Sequence, residues 1–139
     1  MTRINIVPVQ EIQNKQLMAE YHESIRVFSY VIRSEKIPEI PEKYCLGTGH
    51  VKFFFDKIPF ILERYSQIHS ELLKRGFKLN QETFVKNLNR GKLAFQKFPE
   101  IQNDWKPSEM EKVINRNRIQ ERLDRILRKK FKMLMGGNL

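Results

Sequence analysis

A chain of 139 residues, 40% hydrophobic and 30% charged, is long enough for one core and short for two, so a single domain over residues 1–139 is expected. Its 26 Lys and Arg against 16 Asp and Glu leave a formal net charge of +10, which favours a polyanionic partner, nucleic acid first. One cysteine, Cys45, excludes an internal disulfide, and the scattered His22, His50 and His69 lack zinc-ligand spacing, so chemistry without metal or cofactor is expected.

The start MTRINIVPVQ has no apolar export core, and no later stretch approaches the roughly 18 apolar residues of a membrane span. A cytoplasmic protein that acts as a monomer away from membranes is the expectation. The first three residues, Met1-Thr2-Arg3, carry a chemical possibility: a small second residue lets Met1 be trimmed, which leaves the α-amine of Thr2 beside a guanidinium. An α-amine, with a reference pKa of about 8, is roughly 10 per cent unprotonated at pH 7 and so is a usable nucleophile where a lysine is not.

Over residues 14–35, Leu17, Tyr21, Phe28, Val31 and Ile32 return at helical spacings and predict one amphipathic helix, with His22, Glu23, Arg26 and Arg33 on the opposite, polar arc. Glu23 is the best-placed carboxylate for proton transfer, because the cations around it favour its ionised form. Pro38 and Pro41 then open a loop that reaches Leu46-Gly47-Thr48-Gly49-His50. In that loop Gly47 and Gly49 let backbone pass close to a phosphate, and His50 is placed to hydrogen-bond one.

A second helical stretch runs from Val51 to a C-cap at Gly76, with Pro59 as a point where it divides. Residues 77–106 show short amphipathic turns around Phe84, Leu88, Leu93 and Phe98, and no long element is predicted there. Ser108, with Glu111 three residues on, reads as a capping box that opens a last helix to about Phe131. Between Lys106 and Lys132 stand ten Lys or Arg and four Glu or Asp, so this stretch carries +6 of the net charge. Gly136-Gly137 is expected to be a frayed end. With no strand-rich region, the expected fold is all-α: a compact single domain of three main helices with irregular connecting segments.

The blocks MTRIN, LMAEYHESIRVF (residues 17–28) and LGTGHVKFFFDK (residues 46–57) occur in order and at matching spacing, and with them the chain resembles the bacteriophage pyrimidine-dimer DNA glycosylase family of the endonuclease V type. The likeness thins in the middle and returns at Asp104-Trp105-Lys106-Pro107 and in the last helix. It implies an enzyme of DNA repair acting on double-stranded damaged DNA, both glycosylase and abasic-site lyase. In such an enzyme the α-amine at Thr2 attacks C1′, expels the base and leaves a Schiff base, and β-elimination follows. Glu23 matches the family's catalytic carboxylate. Arg3 and Arg26 match phosphate-binding positions, and Arg118 and Arg122 fall where the last helix supplies further backbone contacts. The family also extrudes the adenine opposite the lesion into a protein pocket.

Two departures stand out. His22 occupies a position that is arginine in phage members, and Gln16 one that is histidine. The tail RKKFKMLMGGNL has Phe131 as its sole aromatic where phage members are tyrosine-rich, which bears on the preferred lesion more than on the amine chemistry. A second reading is a non-catalytic, basic, helical DNA-binding protein.

Overall fold

The computed structural model describes residues 2–136, so the expected trimming at Met1 and the frayed end at Gly137 lie outside the described residues. All of the regular structure among the described residues is helical: α1 (Asn14–Glu23), α2 (Arg26–Arg33), α3 (His50–Phe53), α4 (Ile58–Lys74), α5 (Gln81–Lys97) and α6 (Glu109–Leu134), with 3₁₀ turns at Val9–Glu11 and Pro99–Ile101. The chain separates into two compact units, one ending at Lys106 and one beginning at Pro107. No helix among the described residues is long and apolar enough to cross a membrane.

The all-α expectation agrees with this architecture, while three main helices undercount it. The single helix predicted over residues 14–35 is two. At the junction, Val27 N–H bonds Ser24 O at 3.2 Å and Phe28 N–H bonds Ile25 O at 3.1 Å. These i→i+3 bonds wind the chain more tightly than an α-turn and rephase everything after Ser24. The stretch after His50 also divides, and Pro59 sits in the first turn of α4, where its missing N–H costs nothing.

The larger correction is α5, a 17-residue helix inside the region where no long element was predicted. Its buried residues are Gly91 and Ala94, so bulk apolar periodicity could not reveal it. Gly91 permits a close helix crossing: a Cβ there would lie 2.3 Å from Leu62 Cδ2 on α4 and 2.9 Å from Phe28 Cζ on α2. Asn80 caps its start by accepting the Thr83 N–H at 3.0 Å.

The core of the first unit is aromatic and branched aliphatic. Ile4, Phe28, Phe53, Phe54, Phe55, Ile58 and Ile61 are each at most 1% exposed. Trp105 closes one side, edge-on to Phe53 and Phe60 at centroid distances of 5.2 and 4.9 Å. Nearby, the Gln102 side chain accepts the Ile58 N–H at 2.9 Å and so satisfies an otherwise orphaned donor at the start of α4.

The second unit is α6 with its lead-in. Its capping box is complete: Ser108 Oγ accepts the Glu111 N–H at 3.2 Å, and Glu111 Oε1 accepts the Ser108 N–H at 2.8 Å. From Arg125 to the end of the described chain every residue is exposed.

Candidate active site

Residues 2–12 form almost no regular structure, yet Ile4, Ile6, Val7, Val9 and Ile12 are buried. Buried backbone without a helix or sheet ladder needs partners for its polar groups. Long side chains from distant elements supply them. Arg64 Nη1 on α4 donates to Val7 O. Arg75 donates to Ile12 O at 2.7 Å and to Val9 O at 3.2 Å. Arg64 also forks onto Glu20 of α1, with Nε to Oε2 at 2.8 Å and Nη2 to Oε1 at 3.1 Å, and the Asn5 side chain donates to the same carboxylate at 2.9 Å. Glu20 and Arg64 are 1% and 3% exposed, so this is a buried charge pair with its hydrogen bonds filled.

The anchored segment delivers residues 2 and 3 to the end of α1. Glu23 is the last residue of that helix, and its Oε1 accepts the Arg3 N–H at 3.0 Å. The Thr2 nitrogen lies one residue earlier, which backbone geometry alone keeps within about 4 Å of that amide. A carboxylate therefore stands beside the position the terminal amine would occupy.

Thr2 lines a depression of about 650 Å³ together with Gly47 and Gly49 of the loop and Arg26 of α2. Ser29 and Arg33, one and two turns on from Arg26, line it as well, and Lys52 faces them from α3. Among the described residues the lining holds three cations and no carboxylate, a surface suited to an anion. Gly47 and Gly49 have φ of +70° and +90°, the left-handed backbone that glycine adopts without strain.

The structure thus brings Thr2, Arg26, Gly47 and Gly49 to one basin and ties Glu23 to the neighbouring backbone at Arg3, an exposed residue. His22 is exposed and is not part of the basin lining. His50 is buried beneath it: Nε2 accepts the Ile4 N–H at 3.1 Å, and Nδ1 lies 2.9 Å from Cys45 O. Both ring nitrogens are occupied by backbone, which sets this histidine apart from the phosphate-facing role expected of it. Arg118 and Arg122 lie four residues apart on α6, hence on one side of that helix; Arg118 pairs with Glu121 at 3.7 Å.

Behind α1, Tyr21 stacks on Tyr65 at 4.8 Å and its hydroxyl bonds His69 Nδ1 at 2.8 Å. Burial pushes the Tyr21 hydroxyl well above its ordinary range and pushes His69 down, so a neutral phenol and a neutral imidazole make the tie. It holds the helix that presents Glu23.

Sequence reasoning passed over Glu20, Arg64 and Arg75. The signal was there for two of them: Glu20 shares its helix face with Leu17 and Tyr21, and Arg64 with Ile61 and Ile68. Opposite charges at core-facing positions of two helices read as a buried pair. Ser29 and Tyr30 could not be assigned to the basin, because their direction depends on the rephasing at Ser24.

A protein-family model described as pyrimidine dimer DNA glycosylase matches residues 1–85. That span holds the anchored N-terminal segment, Glu23, the basin lining and the whole of α4.

Proposed function

Because the chain belongs to the pyrimidine dimer DNA glycosylase family, we propose that it is a DNA-repair enzyme that removes a damaged pyrimidine, a pyrimidine dimer above all, and then breaks the strand as an abasic-site lyase. Trimming of Met1 frees the Thr2 α-amine. That amine attacks C1′ of the damaged nucleotide, the glycosidic bond breaks and the base leaves with its electron pair. Opening of the sugar at the C1′–O bond gives the imine.

Glu23 supports each later step from one place. As a carboxylate it stabilises the iminium charge, assists ring opening, and takes the proton from C2′. The electrons of that C–H bond then expel the 3′ phosphate by β-elimination. Water hydrolyses the imine and restores the amine. Arg26, Arg33 and Lys52 hold phosphate at the basin, the backbone at Gly47 and Gly49 lets it come close, Arg3 and His22 contact the strand beside Glu23, and Arg118 and Arg122 add contacts from α6.

The observation that carries this reading is the Arg3 N–H bond to Glu23 Oε1, which joins the carboxylate to the segment that bears the amine. Glu23→Gln keeps the shape and removes the charge. It is expected to bind abasic duplex as the wild type does while strand scission falls by about 10²- to 10⁴-fold. Equal turnover in the two proteins would remove Glu23 from the chemistry. Binding is also expected to weaken with log salt by about 0.9 log unit per phosphate neutralised.

A further inference from the structure

We infer that His50 is a positioning residue for the terminal amine, joining the nucleophile's segment to the loop beside the basin through one imidazole ring; the inference rests on the reading above. The Cys45 carbonyl can only accept and the Ile4 amide can only donate, so the ring carries its proton on Nδ1 and presents a lone pair at Nε2. At 7% exposure it is walled by aromatic edges, Phe54 at 5.4 Å and Tyr44 at 5.9 Å, which leave it little freedom to tilt.

The two bonds reach two segments that each contribute residues to the basin. Ile4 is two residues from Thr2, on a stretch with no strand partner. Cys45 lies two residues before Gly47, and Gly49 directly precedes His50, so the ring stands under the turn whose two glycines line the basin. A displacement of the loop at a phosphate is therefore passed through the ring to the segment that carries the amine. His50 touches neither phosphate nor sugar in this account.

The test separates binding from chemistry. Wild type, His50→Leu, His50→Asn and His50→Gln are compared by Kd for an abasic-site duplex and by the single-turnover rate of borohydride trapping on the same duplex. Leucine removes both bonds, asparagine is too short to reach Ile4, and a glutamine carboxamide can accept with its oxygen and donate with its nitrogen. The Leu and Asn variants are expected to trap about 10- to 100-fold more slowly while Kd shifts by less than about threefold, and the Gln variant to recover most of the rate. If the Leu variant melts below the assay temperature, the Asn variant decides. Trapping at the wild-type rate in the Asn variant, or equal losses of binding and trapping in all three, would overturn the inference and leave the lyase reading standing. A wild type that binds and is never trapped would overturn both.

Discussion

Residues 2–12 and α6 are opposites. The first has a single 3₁₀ turn and five buried apolar side chains; the second is a 26-residue helix whose last stretch, from Arg125 onward, is wholly exposed. In α6 the backbone satisfies itself, and the ends are managed by a local capping box. In the N-terminal segment the backbone depends on Arg64, Arg75 and His50, which are 46 to 66 residues distant in the chain. Regular structure and fixed position are thus separate properties. The N-terminal segment gets its fixed position from long-range polar partners, whereas α6 is held by its own backbone ladder and a local cap.

The sharpest way to break the contrast is Arg64→Met. It leaves Glu20 buried without its cation and Val7 O without a donor, and the cost expected is about 3–5 kcal/mol in denaturant unfolding. A loss below about 1 kcal/mol would mean that the Arg64 bonds to Glu20 and Val7 contribute little to holding the segment. On the other side of the comparison, Ser108→Ala removes one half of the capping box and is expected to cost about 1 kcal/mol. That loss should appear as faster hydrogen exchange in the first turn of α6, with the first unit's exchange unchanged.

The smallest effect is expected from pH. His69, bonded to Tyr21 and stacked on Phe84 at 3.7 Å, has its pKa lowered from 6.5, chiefly by burial, with a hydrogen bond to the Gln81 side chain acting the other way. A histidine whose folded pKa is depressed lends its stability above the unfolded value. As pH falls below about 6.5 the unfolded chain takes up a proton that the folded chain resists, so the melting temperature should fall from there downward. His69→Gln should flatten that part of the profile. Burial raises Tyr21, so a second decline is expected above about pH 10, where the unfolded phenol ionises. A profile flat from neutral to mildly acid pH would show that the Tyr21–His69 tie does not hold α1.

The outline of this contrast was legible in the residues. Ser108 and Glu111 announced the start of α6, and the blocks at residues 1–5, 17–28 and 46–57 pointed to the family that the family model matches over residues 1–85. What escaped was set by tertiary packing. Helix α5 hid because its contact face is built on Gly91 and Ala94, and the break at Ser24 hid because the apolar spacing of Leu17, Tyr21, Phe28 and Val31 also fits one straight helix. His50 looked like a phosphate ligand because it opens a helix directly after a glycine turn that lets backbone approach a phosphate. Its burial follows from Ile4, 46 residues away, needing an acceptor.

The proposed chemistry requires that the Thr2 α-nitrogen, and no lysine, joins the sugar. Reduction of the reaction on an abasic-site duplex with borohydride, followed by digestion and mass mapping of the adduct, reads this directly. The prediction is a single modified peptide that begins at Thr2, with the deoxyribose remnant on its α-nitrogen. An adduct on a lysine, or duplex bound tightly and cleaved with no adduct formed, would contradict the central claim.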